Sequence, residues 1–401
     1  MKTKSRAIPA SEGLDTNLTK EQVIKVFIIC SGLGHIKRGY ESFTQECFEA
    51  LSQEPLLDVT LFKGGGKSSE KEIALWNFPR NAPLTQQIGR STDTLFGRGA
   101  YTVEQGSFFL SLLPHVYFKK PDVIYFSDEN LGNMLWHWRR LTKQSYKLLF
   151  SNGGPILPSF FVRPDHVQQV VPVNFDTALK AGVPAEKQSL VPYAVDISSE
   201  LQILTPNERA ASRHQLGLPG QQPLLLSVGA INRVHKRMDY VIREVASLPE
   251  PRPYLLLLGQ QDAESQEIIK LGNELLGTDN FQTRSVPINE VKNYYKIANA
   301  FILASLGEGF GRVFLEAMCY GLPCLAHDYE VTRFVLEPEG YLANFELPGS
   351  LANLISQALA EADSASHRYR RHQQAYNRFS WEKLRPDYVK LIQQCAYSLG
   401  S

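Results

Sequence analysis

Two glutamates, Glu308 and Glu316, stand in the stretch SLGEGFGRVFLEAMCYGLPC at 305–324. Paired carboxylates can share acid and base work across a glycosidic bond, but their setting points elsewhere. AFILAS (300–305) reads as a strand, GEGFG as a turn, and RVFLEAMCYG as a helix stopped by Gly321 and Pro323. Glu308 then lies in the loop at the strand's end, and Glu316 about one and a half turns into the helix. The backbone N–H groups of Gly311, Arg312 and Val313 open that helix, where the dipole favours an anion such as a diphosphate. Gly309 and Gly311 let a ligand come close to the backbone. Glu316 can accept hydrogen bonds from vicinal hydroxyls such as those of a ribose.

Two further stretches have the same strand, loop, helix form. LSVGAINRVHKRMDYVIREVA (226–246) places Arg233, His235, Lys236 and Arg237 in the loop after a strand. Cations there can clamp a diphosphate leaving group, and Arg237 is expected to face solvent. FIICSGLGHIKRGYESF (27–43) places Gly32 and Gly34 in the loop after a strand, where a ligand can approach the backbone, with His35 beside them. LFKGGGKSSE (61–70) imitates a phosphate-binding loop, but Leu61 occupies the place of that motif's first glycine, so a flexible loop is expected. There is no D-x-D pair and no histidine cluster at ligand spacing, so no metal or cofactor is implied.

The elements that must hold these residues form an α/β pattern, with short apolar runs alternating with amphipathic segments. Segments 23–31, 57–62, 121–127, 146–151 and 167–173 read as buried strands in the first half. Segments 223–229, 252–259, 300–305 and 323–328 do so in the second. A polar, Pro/Gly-containing stretch at 198–222 separates the halves. The basic aromatic segment 135–149 lies between two strands and reads as a packed helix. At 401 residues, two domains are the default.

Lysine and arginine number 42 against 41 acidic residues, which argues against a nucleic-acid binder driven by bulk charge. The five scattered cysteines read as buried thiols in a reducing compartment. The polar start lacks an apolar signal core, and no run is long enough to span a bilayer. A cytoplasmic location is therefore expected, while Lys2, Lys4 and Arg6 leave room for peripheral contact with an anionic membrane.

E-G-F-G, the following Glu316 and AMCYGLPCLA together resemble the signature of retaining glycosyltransferase family 4. The resemblance is closest over 223–345. It implies a GT-B fold, two Rossmann-like doubly wound domains facing a central cleft. Residues 1–205 would form the acceptor-side domain, with 380–401 packing back onto it, and 206–379 the nucleotide-sugar domain. It implies metal-independent transfer of a sugar, with retention, from a nucleotide-diphosphate sugar to a hydroxyl acceptor.

By this resemblance Glu308 contacts the donor sugar and Glu316 the ribose, while Gly34, Gly309, Phe310, Gly311, Arg312 and Val313 line the donor. Backbone groups near Val286 flank the base, and Lys236 meets the phosphates. His35 lies on the acceptor side.

Three departures stand out. Ala230 replaces the family's arginine, for which Arg233 is the candidate substitute, and Tyr193 and Ala194 replace an Asn-Gly pair. PDVIYFSDENLGN lacks the histidine that contacts the donor sugar's 6-hydroxyl in many relatives, so either Asp128 or Glu129 takes a sugar or acceptor hydroxyl or the donor lacks an ordinary 6-hydroxyl. A sugar phosphorylase, a nucleotide-sugar epimerase and a non-catalytic scaffold are the alternatives. The motifs leave base, sugar, acceptor and oligomeric state open.

Overall fold

The computed structural model describes residues 22–36, 38–96, 99–154, 156–261 and 264–398. Lys2, Lys4 and Arg6, and with them the suggested membrane contact, lie outside the described residues.

Two parallel sheets account for the strands. The first holds β1 (Ile24–Cys30), β2 (Leu57–Lys63), β3 (Glu72–Ala74), β4 (Val123–Phe126), β5 (Lys147–Asn152), β6 (His166–Gln169) and β7 (Gln188–Leu190), in the order 3-2-1-4-5-6-7. The second holds β8 (Leu224–Val228), β9 (Tyr254–Leu258), β10 (Phe281–Arg284), β11 (Ala300–Leu303), β12 (Cys324–His327) and β13 (Tyr341–Ala343), in the order 10-9-8-11-12-13. The central strands are near-continuous apolar runs because helices cover both faces of a parallel sheet; β4, β9 and β11 are buried throughout.

In each sheet the strand order reverses beside its first strand. β1 pairs with β4 through Ile28 and Tyr125, and β8 pairs with β11 through Leu226 and Phe301. Chain connections leave in opposite directions at such a point and open a crevice beyond the carboxyl ends of the strands. The loops that carry His35, Asp128, Lys236 and Glu308 leave from these four strands.

Local chemistry adjusts the expected boundaries. The run 167–173 is strand only as far as Gln169, because Pro172 starts the helix Pro172–Lys180. The polar stretch between the halves contains the helix Pro206–Gln215. It is opened by a capping box in which Thr205 accepts from the Glu208 N–H and Glu208 accepts from the Thr205 N–H. The segment at 135–149 supplies the end of the helix Glu129–Thr142 and the start of β5.

The last helix, Trp381–Ala396, crosses back to the first sheet. Its Tyr388 hydroxyl donates to the Pro192 carbonyl at 2.8 Å, and Trp381 stacks on Phe43. Phe43, Tyr193, Phe310, Phe379 and Trp381 belong to one buried cluster that runs from the first sheet into the second. Among the described residues, no helix is long and apolar enough to cross a membrane, and the five cysteines are free thiols.

Candidate active site

In the second sheet the two loops at the reversal point bring Lys236 and Glu308 together. Lys236 follows β8, and the Asn232 side chain shapes its loop by accepting the N–H groups of His235 and Lys236, at 3.2 and 2.8 Å. Glu308 follows β11, and its N–H donates to the Tyr329 hydroxyl at 2.7 Å. The Lys236 ammonium donates to Glu308 Oε1, with the two side chains 15% and 13% exposed. An ammonium has three donors, so Lys236 can hold Glu308 and still reach an incoming anion.

Glu316 lies in the helix Arg312–Met318, and the Tyr295 hydroxyl donates to it at 3.1 Å. Burial raises its pKa, which the Arg312 charge and the Tyr295 hydrogen bond oppose. Val286 lies just beyond β10 at the same edge of the sheet, where the neighbouring Ser285 hydroxyl donates to the Gly259 carbonyl at 2.6 Å.

The GEGFG turn is also where the two halves touch. A Cβ on Gly309 would lie 1.8 Å from the Gly153 carbonyl oxygen, just after β5, so only glycine fits. The Phe310 ring is buried against Tyr193 and Phe379. Gly311 caps the helix, and Val313 is half-buried against the core. The Arg312 guanidinium donates to both Glu46 carboxylate oxygens at 2.7 Å and to the Gly39 carbonyl at 2.9 Å. Phe310 and Arg312 therefore commit their side chains to the joint, leaving only their backbone to a ligand. Tyr193, a departure from the family pattern, packs on Phe43 and Phe310 in that same joint.

Arg233 is not brought to the Lys236–Glu308 pair. Its half-exposed guanidinium faces Asp239 at 3.5 Å and Glu267 at 3.6 Å. Arg237 is not free in solvent either; it lies over the Tyr240 ring and donates to the Phe345 carbonyl.

At the first sheet's reversal point, the loops after β1 and β4 form the opposite wall. Gly34 takes a left-handed φ of +96°, and a Cβ there would lie 2.3 Å from the Gly65 carbonyl carbon. His35 Nε2 donates to the Gly64 carbonyl. The 61–70 loop is thus packed against the β1 loop.

Asp128 follows β4 and accepts from the Tyr101 hydroxyl. Burial pushes its pKa up to about 6; Tyr101 and Arg80 oppose the rise, while Glu41 and Glu104 add to it. A cavity of about 530 Å³ opens here, lined by Tyr101, Gln105, Ser127, Asp128, Glu129 and their neighbours. Ser127 donates to the Ser151 carbonyl in β5 at 2.8 Å. Gly153, which meets Gly309, follows two residues later, so the cavity and the Glu308 loop sit at adjacent strand ends.

Behind the wall, buried Glu104 accepts from Arg80 and from the Ser31 hydroxyl, and the Arg80 guanidinium lies 4.2 Å from the centre of the Tyr101 ring. Tyr101, Gln105, Tyr295 and Tyr329 were not singled out by the sequence. The last follows a strand's carboxyl end, a position that could have marked it. The others come from helix interiors with no motif.

The family model for glycosyl transferases group 1 matches residues 208–378. The D-inositol 3-phosphate glycosyltransferase of Arthrobacter sp. (strain FB24) is 30% identical over 38% of this chain and 40% of its own length. That of Thermobispora bispora is 26% identical over 68% of this chain and 65% of its own length. The matched stretches thus span less than two thirds of either relative.

Sucrose-phosphate synthase from Thermosynechococcus elongatus superposes with a TM-score of 0.75 at 21% identity, covering 92% of this chain and 98% of that one. HepE of Anabaena, solved with UDP-glucose, gives 0.70 at 14% identity over 92% and 99%. Both likenesses show the fold. Residues 208–378 thus carry the match to the glycosyl transferases group 1, and the chain as a whole has a two-sheet GT-B fold.

Proposed function

We propose that the protein is a retaining glycosyltransferase that moves a sugar from a nucleotide-diphosphate sugar to a hydroxyl acceptor without a metal. The carrying observation is the Lys236–Glu308 pair at the reversal point of the second sheet, with Glu316 in the helix that follows the Glu308 loop. Glu316 takes the ribose hydroxyls, and backbone near Val286 takes the base. Glu308 orients the donor sugar.

The acceptor enters from the first sheet, between His35 and Asp128. Its hydroxyl oxygen bonds to the sugar's anomeric carbon on the face that the diphosphate leaves. The bond from that carbon to the phosphate oxygen breaks, and the departing oxygen takes the hydroxyl proton. Negative charge grows on the diphosphate, where Lys236 and the N–H groups of Gly311, Arg312 and Val313 stabilise it. Arg233 would have to leave Asp239 and Glu267 to join them, so Lys236 is the principal side-chain cation.

Support for a nucleotide sugar comes from the group 1 family match and from HepE, whose structure holds UDP-glucose. The test is proton NMR of the product formed from an α-linked nucleotide sugar and a simple hydroxyl acceptor. An α-linked product is expected, and a β-linked product would overturn the retaining assignment.

A further inference from the structure

The cavity after β4 has a chemical bias. Among the described residues, its lining includes the carboxylates of Asp128 and Glu129 and no lysine, arginine or histidine. The cation behind it, Arg80, is engaged by Glu104 at 2.8 Å and faces Glu41 at 3.6 Å, with the Tyr101 ring over it. Among the described residues, a phosphate in the cavity would meet two like charges and no guanidinium or ammonium in its lining.

Gln105, also in the lining, is 0% exposed. Its Oε1 accepts from Asn130 Nδ2 at 2.9 Å, while its Nε2 has no hydrogen-bond partner. A buried donor left unpaired is costly and rare in a native structure. A hydroxyl oxygen placed in the cavity would satisfy it, while other hydroxyls on the same molecule donate to Asp128 and Glu129. That combination suits a neutral polyol, whose hydroxyls both donate and accept.

We propose that this cavity is the acceptor subsite and selects an uncharged polyhydroxylated acceptor, a sugar or cyclitol, over its phosphorylated counterpart, with Gln105 as a specificity-determining residue. This rests on the nucleotide-sugar reading above. The placement supports it: Asp128 lies at the first sheet's reversal point, and the strand next to β4 leads directly to the contact with Gly309.

The test compares kcat/KM for neutral acceptors (glucose, sucrose, myo-inositol) and phosphorylated ones (glucose 6-phosphate, inositol 3-phosphate), with donor hydrolysis in their absence as baseline. Neutral acceptors should be favoured by about 10-fold or more, since like-charge contacts are strongly disfavoured. Gln105→Glu should raise KM for the neutral acceptor by about 10-fold, because it exchanges the unpaired donor for a third carboxylate. Glu129→Lys, at the half-buried rim, should narrow or reverse the preference for neutral acceptors.

Equal or better use of phosphorylated acceptors would overturn the inference alone, as would use of neither set while donor is hydrolysed. Absence of both donor binding and donor hydrolysis would instead overturn the nucleotide-sugar reading.

Discussion

Removing Lys236 and Glu308 singly and together tests whether they serve one donor. Their side chains are 15% and 13% exposed and directly paired. The pair therefore lies between an exposed ion pair, at about 0–1 kcal/mol, and a fully buried one, where losing one partner costs about 3–5 kcal/mol. A coupling of about 2 kcal/mol follows for this intermediate burial.

If Lys236 stabilises the departing diphosphate and Glu308 holds the sugar that it leaves, Lys236→Met and Glu308→Gln should each cost about 3 kcal/mol in kcat, roughly 10²-fold. The double variant should then lose about 4 kcal/mol, near 10³-fold, rather than the 6 kcal/mol, above about 10⁴-fold, of independent residues. The assay is release of nucleotide diphosphate at saturating donor and acceptor, with thermal midpoints to confirm folding. A fully additive loss would refute the shared role, and single variants within threefold of wild type would refute the site.

Three other outcomes follow from the geometry. Asp128, held up at about 6 mainly by burial among Tyr101, Arg80, Glu41 and Glu104, should give acceptor kcat/KM an acidic limb near that pH. Asp128→Asn should depress turnover strongly and remove the limb. Because the folded state binds this proton more tightly than the unfolded chain, the carboxyl favours folding below its ordinary pKa and loses that contribution as pH rises through about 6. The midpoint of Asp128→Asn relative to wild type should therefore rise from pH 4 to pH 7.5, and a constant difference would contradict this.

Gly309→Ala puts a methyl group 1.8 Å from the Gly153 oxygen, so overpacking of about 1–3 kcal/mol should appear as a lowered denaturation midpoint. An unchanged midpoint would mean that the joint is not as close as described. Turnover after exhaustive EDTA treatment should equal the untreated rate; a loss restored by added Mg²⁺ or Mn²⁺ would refute metal independence.

The sequence made the central strands legible because they are apolar on both faces, as in AFIL and YLLLL, and are followed by glycine or serine. The short outer strands escaped notice for the opposite reason. EIA in β3 and YLA in β13 are half-buried along their length, so no apolar run marks them. Lys236, Glu308 and Glu316 were readable because each lies in a strand, loop, helix unit whose spacing fixes where it falls.

What a loop cation pairs with is set by neighbours that only folding supplies. Arg233 looked equivalent to Lys236 in the same loop, yet Asp239 and Glu267 engage it. Arg312 follows the glycine turn, but Glu46 on a helix of the first half takes its guanidinium. The cavity was the least legible part. Tyr101 and Gln105 come from the helix Gly99–Lys119 and meet Asp128 only because β4 lies beside β1.

The central claim, that the second sheet binds a nucleotide sugar through Glu316 and Lys236, is tested most directly by thermal denaturation against UDP-, GDP- and ADP-sugars. One class of donor should stabilise the protein by about 2.7 kcal/mol at 100 times its dissociation constant. The shift should be lost in Glu316→Leu. A flat response to every nucleotide sugar, or an undiminished shift in that variant, would contradict the account.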